Sequence, residues 1–173
     1  MKYDASGNAP FALRGLDGEL TNVIFSGPTG GGANGFNNPE NTGGFAALLN
    51  DGRGFWNDSW RFTGLAAGKY ELTSYAVHPS WIVTNTSVSV VGADIETQIV
   101  TGPMPGNAFE LGITHSVHSI SVTNGEIRIE INRGQDVAYL NGFQLTYVVP
   151  EPASILVLLA GGAFLLRRRS RVW

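Results

Sequence analysis

Residues 119–132 read SISVTNGEIRIEIN. From Glu126 onward, Ile127, Ile129 and Ile131 alternate with Glu126, Arg128 and Glu130. A period of two puts one set on each face of an extended chain, so the isoleucines point to a core and the charges to water. Thr123-Asn124-Gly125 precedes the run, and Asn-Gly supplies the positive φ that tight hairpin turns need. The stretch therefore predicts a hairpin between Ser119–Val122 and Glu126–Asn132. Glu126 and Glu130 read as a solvated strand face rather than as catalytic acids.

Working outward, the same alternation recurs. Lys69 to Val77 sets Tyr70, Leu72, Ser74 and Ala76 against Glu71, Thr73, Tyr75 and Val77, and in Thr86 to Val91 Val88 and Val90 share a side. Leu20–Phe25, Phe45–Leu49, Arg61–Thr63, Ile95–Val100, Ala108–Thr114 and Ala138–Tyr147 are further predicted strands, the last bulged at Asn141-Gly142. Residues 1–19 show no strong period. Ser26 to Gly44, rich in glycine and asparagine, reads as one long loop, and loops of that length are often functional. No stretch before residue 150 holds a 3.6-residue period long enough to predict a helix. About nine short strands separated by turn signals imply an all-β, antiparallel β-sandwich.

Composition agrees. The chain has 173 residues, 23 glycines, 14% charged residues and no cysteine. Few charges with many glycines and β-branched residues suit a turn-rich β domain. Without cysteine, thiol nucleophiles and disulfides are excluded. Residues 1–149 carry seven Lys/Arg against thirteen Asp/Glu, a net charge of −6, while the tail nets +3. An acidic body without a basic patch is a poor nucleic-acid binder, so no nucleic acid is expected as a partner.

The chain divides into a body, 1–149, and a tail, 150–173. The tail opens with Pro150, Glu151 and Pro152, whose prolines end the preceding strand. Next comes an uncharged run whose apolar residues are Ala153, Ile155, Leu156, Val157, Leu158, Leu159, Ala160, Phe164, Leu165 and Leu166. It closes on Arg167, Arg168, Arg169 and Arg171. A helix apolar on every side must be buried. About 14 residues rise roughly 21 Å against a hydrocarbon core of ~30 Å, so a single transmembrane helix here needs snorkelling arginines and local thinning. The basic end favours the cytoplasmic side, which leaves the body outside.

This order, VPEPAS, LVLLAGGAFLL and RRRSR, resembles the PEP-CTERM sorting tail. The resemblance implies export, transient anchoring in the inner membrane, recognition of Pro150-Glu151-Pro152 by an exosortase, and display at the cell surface or in an extracellular polysaccharide matrix. Met1 to Leu20 contains no apolar run of export-signal length, so such a signal is expected upstream of residue 1. Within the body, FTGLAAGKYELTSYAV, TSVSVVGA, EIRIEI and YLNGFQLTYV resemble the galactose-binding-like sandwich of carbohydrate-binding modules. That resemblance implies a jelly roll and a sugar ligand.

Candidate chemistry is sparse. His78, His115 and His118 read as histidines at turns and strand ends; His115 and His118 fall on opposite faces if extended, and no further zinc ligands accompany them, so no metal site is expected. There is no Gly-x-Ser-x-Gly elbow, His-Glu-x-x-His or P-loop. No cofactor is expected, although Asp17-Gly18-Glu19 and Asn50-Asp51-Gly52 offer oxygen atoms for a structural calcium, or accept local backbone hydrogen bonds instead. Sugars pair an apolar ring face with polar edges, which flat aromatics beside amides and carboxylates can match. Trp56 and Trp81, with Asn57, Asp58 and His78, fall in connecting segments and form the candidate sugar site, while Trp60, two residues before Phe62, reads as core. The expected function is non-enzymatic carbohydrate binding at the surface. The alternatives are a purely structural matrix protein and a glycan hydrolase.

Overall fold

The computed structural model describes residues 10–28, 32–35, 39, 41–78, 83–103, 106, 108–135 and 137–149. In chain order the elements are β1 (Phe11–Arg14), β2 (Leu20–Ser26), β3 (Gly32–Gly35), α1 (Gly43–Leu49), β4 (Asp51–Phe55), β5 (Asn57–Thr63), β6 (Gly68–Tyr75), β7 (Thr86–Val90), β8 (Thr97–Val100), β9 (His115–Val122), β10 (Glu126–Asn132), β11 (Ala138–Leu140) and β12 (Gly142–Val148). The class is all-β, with one short helix among the described residues. A six-stranded sheet runs β1-β2-β5-β10-β7-β8, and two three-stranded sheets run β12-β6-β9 and β11-β4-β3. All of these strand pairs are antiparallel.

The alternation in Glu126–Asn132 explains why this strand, β10, sits inside the large sheet. Ile127, Ile129 and Ile131 are fully buried, and on β5 and β7 the residues beside them, Trp60, Phe62, Val88 and Val90, are buried as well. Tyr70, Leu72, Ile120 and Val122 from β6 and β9 join the same cluster, with Phe143 and Leu145 of β12 packed against it. One apolar layer between two sheets is the defining feature of a β-sandwich. Aromatic rings dominate it: Phe25, Phe62, Phe143 and Trp60 meet at centroid distances of 4.9–6.1 Å, mostly edge to face.

Several expectations need correction. Ser119–Val122 and Glu126–Asn132 do not form a hairpin. β9 pairs with β6 in the small sheet, β10 pairs with β5 and β7 in the large one, and the turn at Thr123–Gly125 carries the chain from one layer to the other. Gly125 has φ +75°, and Asn124 Oδ1 accepts from the Glu126 amide, so Asn-Gly turns the chain as expected but changes sheets. Phe45–Leu49 is helical, within α1, because two alanines and two leucines suit a short helix that buries Leu49 against Val77. Ala108–Thr114 is not a strand: the Thr114 hydroxyl donates to the Glu110 carbonyl and accepts from the Glu110 amide, closing a compact turn. Ser26–Gly44 contains β3, and the unpatterned first residues contain β1. Ala138–Tyr147 splits at Asn141 into β11 and β12, which belong to different sheets.

Pro150, Glu151, Pro152, the apolar run, the arginine cluster and Trp81 lie outside the described residues. Among the described residues no helix is long and apolar enough to cross a membrane.

Candidate functional site

Hydrogen-bond register lays out the outer face of the six-stranded sheet in cross-strand rows. Asn57 lies opposite Asn132, and Asn132 opposite Ser87. Ser59, Glu130, Ser89 and Thr97 make the next row. Ser26, Arg61 and Arg128 make the third. Alternation sends Trp60 and Phe62 inward from the same strand that sends Asn57, Ser59 and Arg61 outward. An open groove of about 510 Å³ crosses this face, with Gly27 and Pro28 at one margin. Trp60 forms part of its floor. A Cβ at Gly27 would stand 2.6 Å from Trp60 Cδ1 and 2.7 Å from Nε1, so the glycine lets the backbone lie directly on the indole edge. Trp60 Nε1 is buried and makes no hydrogen bond among the described residues.

Two ion pairs lie on the face. Arg61 Nε meets Glu126 Oε1 at 3.1 Å, and Arg128 Nη2 meets Glu130 Oε1 at 3.1 Å. All four side chains are roughly one-third to one-half exposed, where such pairs contribute little to stability.

At the Asn57–Asn132 end stands Trp56, in the bend between β4 and β5 and 67% exposed. The Arg133 guanidinium lies 4.1 Å from the Trp56 ring centroid. The Arg133 amide also donates to the Trp56 carbonyl at 2.9 Å. Cation–π contact and backbone hydrogen bond together hold an exposed indole in place beside two amide side chains.

The other expected site residues are distributed differently. Asn57 and Asp58 belong to β5 rather than to a connecting segment. Asp58 shares the inward face with Trp60 and lies 4.0 Å from Arg53, whose Nη1 donates to the Pro28 carbonyl at 3.2 Å. Burial pushes the Asp58 carboxyl above its ordinary range, opposed in part by Arg53. His78 is buried and packs edge-on against Tyr139 at 4.8 Å between centroids, so it is a core residue and not a surface contact. Burial lowers its pKa.

His115 and His118 do lie on opposite faces, His115 at the end of strand β9 as expected and His118 within the strand rather than at a turn. His118 is fully buried, neither ring nitrogen makes a hydrogen bond of normal geometry, and burial lowers its pKa against a partial opposing effect of the Val88 backbone. In the β1–β2 turn, Asp17 Oδ1 accepts from the Glu19 amide. Asn50 ends α1 and accepts at Oδ1 from Asn41 Nδ2. Among the described residues no three His, Asp or Glu side chains are grouped to hold a metal.

Ser59, Arg61, Arg128, Glu130, Asn132 and Arg133 were not expected at the site. Their signal was the alternation itself, which gives the outward residues of β5 and β10 but not that the two strands are neighbours. A second aromatic group was missed as well: Phe45 stacks on Phe109 at 4.4 Å, with Tyr75 and His115 alongside and Phe109 half-exposed.

No protein-family model and no curated protein matches the chain. Among solved structures it is similar to a Bacteroides uniformis β-glucuronidase, at 16% identity and TM-score 0.46 over 73% of this chain and 14% of that one. It is also similar to BtGH115A, a GH115 4-O-methyl-α-glucuronidase with specificity for decorated arabinogalactans, at 15% identity and TM-score 0.39 over 69% and 16% of the two chains. The carbohydrate-binding module TmCBM61, solved with β-1,4-galactotriose, gives 17% identity and TM-score 0.39 over 76% of this chain and 92% of that one. The chain thus spans about one-seventh of the length of either glucuronidase. None of these likenesses is close enough to assign a ligand or a reaction to it.

Proposed function

We propose that the body is a non-catalytic carbohydrate-binding β-sandwich of jelly-roll type, which takes its ligand on the outer face of the six-stranded sheet. The observation that carries the reading is Trp56. An indole exposed to this degree, held by Arg133 and flanked by Asn57 and Asn132, offers an apolar plane for a sugar ring and amides for its hydroxyls. Asn57, the residue after Trp56 in the chain, and Asn132 line the groove together with residues of the other two polar rows, which offers further partners for sugar hydroxyls.

Two features support binding over hydrolysis. Asp58 and Glu130 both line the groove, but Asp58 lies 4.0 Å from Arg53 and Glu130 is paired with Arg128, so each carboxylate already faces a cation. A glycosidase pair needs one carboxyl free to give a proton and the other free to attack or to activate water, roles that a partnered carboxylate fills poorly.

The reading is tested by titrating a broad oligosaccharide panel into the protein while following tryptophan fluorescence, with Trp56→Ala and Phe109→Ala alongside. Saturable changes lost in Trp56→Ala and kept in Phe109→Ala are expected. No change across the panel would leave a structural matrix protein as the better description. Release of reducing sugar would instead favour the hydrolase.

Display at the surface is the second part of the proposal. It is supported by the order of the closing residues: Pro150-Glu151-Pro152, an uncharged apolar run, then four arginines. In this reading an exosortase and the membrane are the partners of the tail, and a surface polysaccharide is the partner of the body. Fractionation of cells making the chain with and without residues 150–173 checks it. Equal distribution of both forms would refute anchoring.

A further inference from the structure

Arg61 of β5 and Arg128 of β10 are direct cross-strand partners on the outward face of the six-stranded sheet. Like charges at this separation repel, and a sheet gains nothing structural from such an arrangement. Each arginine has a carboxylate neighbour, met at Nε of Arg61 and at Nη2 of Arg128. Both arginine side chains are about half exposed, so neither guanidinium is enclosed by its carboxylate. Both arginines line the groove. Two arginines on neighbouring strands, each with a planar fork of N–H donors, suit an oxyanion better than a sugar hydroxyl.

We propose that the ligand of this face is an acidic glycan, whose carboxylate or sulfate oxygens are taken jointly by Arg61 and Arg128. This rests on the reading of the face as a carbohydrate-binding surface and adds the chemical class of the sugar. Trp56, Asn57 and Asn132 hold the neutral part of the ligand, and the arginine pair holds its charge two rows along the same strands. General electrostatics cannot produce such a preference, because residues 1–149 carry a net charge of −6 and repel a polyanion. Glu126 and Glu130 then act as place-holders, neutralising the arginines when no ligand is bound.

The experiment measures binding to two matched polymer pairs by affinity electrophoresis and calorimetry: polygalacturonate with its carboxyl-reduced form, and dextran sulfate with dextran. The protein is expected to bind the charged member of at least one pair about tenfold more tightly or better. Whichever pair shows the preference identifies carboxylate or sulfate. The double variant Arg61→Gln/Arg128→Gln is expected to lose that preference while its circular dichroism and melting remain those of the parent. Glu130→Gln, which frees Arg128, is expected to strengthen binding to the charged polymer, a gain that a merely structural ion pair would not give. Equal affinity within both pairs, or a preference that survives the double variant, overturns the acidic-ligand inference and leaves carbohydrate binding standing. Failure to bind any glycan in this set or in the oligosaccharide panel overturns both.

Discussion

The side-chain carboxamide of Gln98 sits against the main chain of Val117 as another strand would: its Nε2 donates to the Val117 carbonyl and its Oε1 accepts from the Val117 amide at 3.4 Å. Gln98 is on β8, at one edge of the large sheet, and Val117 is on β9, at an edge of the small one. One side chain therefore bridges the open side of the sandwich and occupies the exposed backbone of an edge strand. Gln98→Leu should lose both bonds and leave the Val117 groups unpaired. A loss of about 1–3 kcal/mol is expected in urea unfolding, with m unchanged. A variant as stable as the parent would show that water replaces the bridge at no cost.

Trp56 and Trp60 are four residues apart and should respond in opposite ways. Trp60→Ala opens a cavity among Phe55, Phe143 and Ile129 and should cost about 3–5 kcal/mol. Trp60→Phe should cost clearly less than Trp60→Ala, because it leaves a smaller cavity and the indole Nε1 has no hydrogen bond to lose. Trp56→Ala should change stability by less than about 1 kcal/mol while weakening glycan binding about tenfold or more. Chemical denaturation and fluorescence titration on the same three variants separate the roles.

Acid should weaken the fold before the carboxylates titrate. His78, His115 and His118 each have a pKa lowered by burial, so the folded state binds fewer protons than the unfolded state below the ordinary histidine value of 6.5. Stability is then flat above pH 6.5 and falls as pH drops from there toward the folded pKa values. His118→Leu should flatten part of that fall, because the ring is fully buried and the cost of burying its cation outweighs the opposing effect of the Val88 backbone. Melting temperatures between pH 7.5 and pH 5 decide it, and an unchanged slope in the variant would contradict the assignment.

Gly52→Ala should destabilise the β4–β11 region. A Cβ there would lie 2.0 Å from Tyr139 Cε1, and Tyr139 is fully buried, so the ring has nowhere to retreat. An expected cost of about 1–3 kcal/mol follows from overpacking. Thermal melting checks it, and a neutral effect would mean that β4 shifts to make room.

Much of the fold could be read from residue periods, and the reason is local. Ile127, Ile129 and Ile131 declare their own face, as do Tyr70, Leu72 and Ser74, because alternation needs only one strand to be seen. Pairing does not declare itself. Nothing in Glu126–Asn132 says that Arg128 will lie opposite Arg61, a residue 67 positions earlier. For the same reason the Asn-Gly turn was read as a hairpin: it specifies a reversal of direction but not which sheet receives the next strand. Phe45–Leu49 failed differently, since five apolar residues fit either a short strand or a buried helix, and only Leu49 against Val77 decides between them. At the site, Trp56 and Asn57 were legible by residue type. The arginine rows were not, since each charge alone looks like an ordinary solvated position.

The crossing at Thr123–Gly125 also bears on when the protein can take shape during synthesis. β5 must wait for β10 as its neighbour, and β6 must wait for both β9 and β12, the last of which ends at Val148. Nascent chain emerging from the ribosome thus holds apolar strands without mates until almost the whole body has been made, a topology that slows folding and leaves it exposed to aggregation. A chaperone that shields residues 57–75 during that interval would do more for yield than any stabilising substitution in the finished sandwich.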